Sequence, residues 1–123
     1  MLPAAHRLTD AATFRTASRR GRRASSRRLV THLWCPEAGS ADDRAPRVGF
    51  VVSKAVGNAV VRNRVQRRLR HLMRPRVEGF PAGSVLVIRA LAPAAGSSSA
   101  ALGADLERCL DRLGLPAASE APA

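Results

Sequence analysis

Residues 54–76 carry eight cationic side chains and no carboxylate, on a segment whose apolar residues recur at helical spacing. At 100° per residue, Val61, Val65, Leu69 and Leu72 fall within one sector of about 80°, with Met73 just beyond it. Asn63, Arg67, Arg70 and Arg74 lie opposite, and Arg62, Arg64, Arg68 and His71 form the flanks. A helix with such a stripe must pack along one side, so its cations are held at fixed places in space. Gly57 permits a tight turn into the helix, Asn58 is a strong N-cap and Pro75 stops it. Like charges four apart, such as Arg64 and Arg68, destabilise an isolated helix by a few tenths of a kcal/mol. An anion on that surface would remove the penalty. The predicted helix, Asn58 to Met73, is thus a rigid device for holding phosphates.

The rest of the chain supplies something for this helix to pack on. Thr9 and Asp10 can cap a first helix that runs to about Arg20, with Gly21 as its stop. Phe14 is its single large apolar residue, which pins the helix to the core and leaves a partly exposed ring for base stacking as a further role. Leu29 to Cys35 reads as a strand with Val30, His32 and Trp34 on one face and Leu29, Thr31 and Leu33 on the other. Arg22 to Arg28 can hold a short preceding strand. Arg47 to Ser53 is a second strong strand, expected to pair with the first as a hairpin across a Gly/Ser/Asp-rich loop at 36–46. Ser84 to Ala90 is apolar almost throughout, as for a strand covered on both faces. Strand, helix and strand across residues 47–90 imply a parallel pair. After a linker from Pro93 to Ala101, Leu102 to Leu113 is an amphipathic helix. Its Asp105, Glu107 and Asp111 are expected to form the acidic side of the molecule.

A length of 123 residues suits one domain, here residues 1–113, followed by a loose tail at 114–123. Hydrophobic residues make up 46% of the chain, but much of that is Ala and aromatics are only 3%, so the core should be small and aliphatic. The net charge of +12 calls for a polyanionic partner, either nucleic acid or an anionic membrane surface. The helix offers no Trp or Phe for insertion, which counts against the membrane. Lys54 is the only lysine. The arginine bias fits bidentate phosphate contacts, and it equally fits GC-rich codon usage. Cys35 and Cys109 are isolated, without metal-site spacing, and read as reduced thiols. There is no apolar leader and no run of 18 apolar residues, so a cytoplasmic location is expected.

Catalytic patterns are missing. His6, His32 and His71 fall in different elements, no carboxylate pair is spaced for a two-metal nuclease, and Lys54-Ala-Val-Gly57 is not a Walker loop. The chain reads as an RNA binder rather than a self-contained enzyme.

Three runs together carry a more specific message: Arg47-Val-Gly-Phe-Val-Val-Ser-Lys54, then Gly57-Asn58-Ala-Val-Val-Arg62-Asn63-Arg64, then Arg67-Arg68-Leu-Arg70. With Arg7-Leu-Thr-Asp-Ala-Ala-Thr-Phe14, Gly21, the strand Val85–Ile88 and the closing helix, they resemble the bacterial ribonuclease P protein component over roughly residues 6–113. The resemblance implies an α+β fold, α-β-β-β-α-β-α in two layers, with a four-stranded mixed sheet and a left-handed βαβ crossover against the usual rule. It implies a protein subunit that joins a catalytic RNA and binds the 5′ leader of precursor tRNA, promoting endonucleolytic 5′ maturation. Chemistry would belong to the RNA with Mg²⁺ bound mainly by that RNA, and no catalytic residue or metal ligand is expected in the protein alone. One copy per RNA is expected. Carried over by motif, Lys54, Asn58, Arg62, Asn63, Arg64, Arg67, Arg68 and Arg70 would form the RNA-binding site, and Phe14, Val30, His32 and Trp34 the leader cleft. His32 stands where the family commonly has an aromatic such as Tyr, Ser18 where a second Phe is frequent, and Gln66 where a Lys is common. The alternative is a non-catalytic RNA-binding protein of ribosomal or RNA-chaperone type, which accounts for the charge but not for these runs.

Overall fold

A computed structural model of the protein describes residues 2–35 and 44–115. The elements run α1 (Ala11–Arg20), β1 (Arg22–Ser25), β2 (Leu29–Trp34), β3 (Arg47–Val52), α2 (Ala59–Met73), β4 (Val85–Ala90) and α3 (Ser99–Arg112), with single 3₁₀ turns between several of them. The four strands form one mixed sheet in the order β1-β2-β4-β3. β4 is antiparallel to β2 and parallel to β3, as the strand–helix–strand pattern requires.

The expected hairpin between β2 and β3 does not form. β4 enters between them, pairing Thr31 with Ile88 on one side and Phe50 with Ile88 on the other. The reason lies in β4 itself. Val85, Leu86, Val87 and Ile88 are all fully buried, so this strand must be covered on both faces. A central position satisfies its backbone on both edges as well. Most of the 36–46 loop, residues 36–43, lies outside the described residues.

Strand parity divides the core in two. Leu29, Leu33, Val48, Leu86 and Ile88 pack against Val65, Leu69 and Met73 of α2 and against Leu102, Leu106, Cys109 and Leu110 of α3. The opposite face sets Val85 and Val87 against Ala17 of α1 and Leu8, with Phe14, Trp34 and Val51 half-buried at the margin. The stripe read from α2 is therefore the buried one, and Val61 and Leu72 flank it half-covered. Two glycines let α1 approach the sheet. A Cβ on Gly49 would lie 2.3 Å from the Phe14 ring, and one on Gly21 would lie 2.4 Å from the Ala17 carbonyl oxygen.

α3 begins three residues before the expected Leu102, because the Ser98 side chain caps it by accepting from the Ala101 N–H at 3.1 Å. Its end also differs from expectation. Gly114 takes a φ of 73°, donating to the Asp111 carbonyl at 3.0 Å, and Leu115 donates to the Leu110 carbonyl at 2.9 Å. This double closure, with Leu115 buried, is a Schellman motif. Gly114 and Leu115, assigned to a tail by sequence, are part of the fold; residues 116–123 lie outside the described residues.

Asp105 was expected on an acidic exterior and is instead 1% exposed. It accepts from the Ser26 hydroxyl at 3.1 Å, from the Arg28 backbone N–H at 3.0 Å and from the Arg28 guanidinium at 3.3 Å. Arg108 approaches the same carboxylate at 3.5 Å. One buried carboxylate thus ties the β1–β2 turn to α3. Glu107 is also engaged, accepting from Arg76 Nε at 2.8 Å and linking α3 to the segment after α2.

Asp105→Ala leaves the turn's donors and the Arg28 guanidinium without their buried partner. We expect a loss of about 2–4 kcal/mol, read as a lower urea midpoint with an unchanged m-value. Asp105→Asn retains some of the hydrogen bonds and should lie between the two. Glu107→Ala, which removes a half-exposed partner, should cost under about 1 kcal/mol by the same measurement.

Candidate RNA interface

The basic helix is entered through a short, rigid path. After β3, Lys54–Val56 forms one 3₁₀ turn with Val56 buried beneath it and Lys54 exposed. Gly57 then takes a φ of 153°, where its missing side chain also avoids Val61, 3.0 Å from a built Cβ. Asn58 caps α2 by accepting from the Val61 N–H at 3.0 Å. Its side-chain oxygen is therefore committed to the cap, while the residue itself stays exposed beside Lys54.

From this start the cations fan outward. Asn63, Arg64, Arg67 and Arg70 are exposed, and Arg62 is half-buried on the flank with its Nε buried and unpartnered. Among the described residues, no carboxylate pairs with Arg62, Arg64, Arg67 or Arg70. Two acids of α3 are held elsewhere, Asp105 inside the fold and Glu107 on Arg76. Arg68 departs from the expected group. It is half-buried and donates to the Ser97 carbonyl, so it fastens α2 to the segment leading into α3.

The second surface is the sheet face that α1 only partly covers. Ring contact with Gly49 seats Phe14 beside it, at the edge of a cavity of about 330 Å³ lined also by Arg15, Ser18, Arg19, Val51 and Arg89. His32 and Trp34 share this face and are half-buried, but they lie outside the cavity lining. Val30 is on the same face and only 7% exposed, so it contributes floor rather than a contact surface. Burial, and then the guanidiniums of Arg23 and Arg89, hold the His32 imidazole below the usual histidine range, so it is neutral at pH 7.

Four cavity residues went unassigned in the sequence: Arg15, Arg19, Val51 and Arg89. Arg15 and Arg19 do stand one turn apart on the same flank of the helix, next to Phe14, and that spacing was the available signal. Arg89 breaks the apolar run of β4, but its face is known only once β4 is paired with β2 and β3. Among the described residues, no three His, Cys, Asp or Glu side chains converge where a metal could sit.

The whole described fold matches one protein family: the family model described as Ribonuclease P aligns with residues 2–114. The ribonuclease P protein component of a Nocardioides species is 60% identical over 114 residues, 93% of this chain and 96% of that protein. That of Streptomyces avermitilis is 52% identical over 120 residues, 92% of this chain and 95% of the relative. The fold recurs in the RNase P protein of Staphylococcus aureus, with a TM-score of 0.75 at 24% identity over 89% of this chain and 96% of that one. It recurs in the RNase P protein of Thermotoga maritima, with a TM-score of 0.68 at 21% identity over 86% of this chain and 96% of that one. By both the family model and these sequence identities, the chain belongs to the ribonuclease P protein components.

Proposed function

We propose that this chain uses its two cationic surfaces on two different RNAs: α2 on the catalytic RNA of ribonuclease P, and the α1–sheet face on the 5′ leader of precursor tRNA. The family role is that of accessory subunit in the ribonucleoprotein that matures tRNA 5′ ends, with ribonuclease P RNA as its partner. The division of labour is our reading. The observation that carries it is that α2 presents exposed arginines with no internal ion pair, while the adjoining α1 face combines Phe14 with Arg15, Arg19 and Arg89 around a cavity. Guanidiniums on a packed helix suit an ordered RNA backbone. A ring beside cations suits a single strand with unstacked bases.

In this reading the protein contributes binding rather than bond-breaking. Mg²⁺ is held mainly by the RNA, and by bringing cations next to it the protein lowers the Mg²⁺ needed for assembly. One copy acts per RNA, in the cytoplasm; among the described residues, no helix is long and apolar enough to cross a membrane. A ribosomal or chaperone role explains the charge alone and leaves the family match without a reason.

Reconstitution tests the reading as a whole. With its RNA, the protein should process precursor tRNA at lower Mg²⁺ than the RNA alone, and no gain at any Mg²⁺ overturns it. Arg67→Ala should weaken assembly with the RNA and reduce the slope of log affinity against log salt by about 0.7–0.9, the change expected when one phosphate is no longer neutralised. Arg68→Ala should instead lower the unfolding midpoint, because that side chain serves the fold. Phe14→Ala should weaken precursor binding by about 1–3 kcal/mol while leaving mature tRNA affinity nearly unchanged. Equal losses on the two tRNAs would remove Phe14 from the leader surface.

A further inference from the structure

The face beside α1 has a second centre away from the cavity. His32 lies directly across from Arg23 of β1, and Val30, the next residue on that face of β2, lies across from Arg89 of β4. The imidazole therefore has Arg23 directly opposite on one side and, beyond Val87, Arg89 diagonally across on the other. Its Nδ1 is fully buried and has no hydrogen-bond partner, a costly condition for a ring nitrogen. The other charged groups on this side are also cations: Arg47 of β3, level with Trp34 across β4, and Arg15 and Arg19 of α1, which line the cavity with Arg89. No strand of the sheet contains a carboxylate, and Asp10, the acid at the start of α1, is occupied in capping Ala12 and Thr13.

An imidazole so placed resists protonation while the face is empty. A phosphate arriving among Arg23, His32 and Arg89 reverses the balance, because the anion offsets the guanidiniums and rewards a third positive donor. Protonation gives a ring that donates from both nitrogens, one of which has no partner in the free protein. We propose that His32 takes up a proton as a leader phosphate settles between Arg23 and Arg89, so that preference for precursor over mature tRNA strengthens as pH falls. The proposal rests on the leader reading above and makes His32 a specificity-determining residue.

Linkage sets the sign. The bound form holds one more proton than the free form between the free and bound pKa values of the ring, so affinity for the leader rises as pH drops through that window. The test compares precursor and mature tRNA affinities for the assembled holoenzyme from pH 8 to pH 6, under conditions without turnover. The ratio should grow towards lower pH, with a ceiling of about tenfold per pH unit for a single proton. His32→Phe keeps a planar ring and cannot titrate, so its ratio should be flat. His32→Gln keeps hydrogen bonding without the proton and should be flat as well. Arg89→Gln removes one like charge and one phosphate ligand together, and should narrow the pH window rather than abolish it. Circular dichroism establishes that each variant is folded. A pH-independent ratio in the unmodified protein, or a His32→Phe slope equal to it, overturns the proposal. Absence of any precursor preference at every pH overturns the leader reading itself.

Discussion

Burial of β4 on both faces is the constraint from which the remaining placements follow. Four consecutive aliphatic residues, Val85 to Ile88, are all fully buried, and they satisfy their backbone through β2 on one side and β3 on the other. Placing β4 centrally sends Leu86 and Ile88 to the α2–α3 layer, and Val85 and Val87 to the face under α1. The first layer is thick and closed. The second has only one short helix, ten residues long, and leaves His32, Trp34, Val51 and Arg89 partly or wholly open. The surface we propose for the leader is thus the part of this sheet face that α1 leaves uncovered, reaching from His32 and Trp34 of β2 across Arg89 of β4 to Val51 of β3.

Charge is sorted by the same packing. Two of the three carboxylates of α3 turn towards basic partners within the fold, Asp105 beneath the β1–β2 turn and Glu107 on Arg76, while Asp111 stays exposed. Because those two acids are consumed internally, the arginines of α2 keep their charge for a partner. The contrast between Arg67 and Arg68, adjacent in sequence, shows how finely this is divided. One is exposed with no ion pair, and the other is bonded to the Ser97 carbonyl. A net charge of +12 therefore understates the separation between cations that build the molecule and cations that face outward.

The local devices were legible in the chain. Asn58 as cap, Gly57 as turn, the Val65–Leu69–Met73 stripe and the alternation of β2 each depend on residues a few positions apart. The exposed basic face of α2 was legible for the same reason, since helical spacing alone separates Arg67 and Arg70 from the buried side. Legibility ends where a residue's role depends on a distant partner. Asp105 looks like surface charge until Ser26 and Arg28 are brought to it from nearly eighty residues away. Arg68 looks like its neighbours until Ser97 is in reach.

The sequence by itself determined the helices, the strands, the family and the polyanionic partner, because periodicity, capping and motif order are properties of short stretches. Tertiary structure alone decided that β4 divides β2 from β3, that Val30 is covered, and that Arg23, His32 and Arg89 share one face. Those outcomes rest on strand pairing across the whole chain, where burial of both faces of β4 outweighs the short connection that a β2–β3 hairpin would have offered.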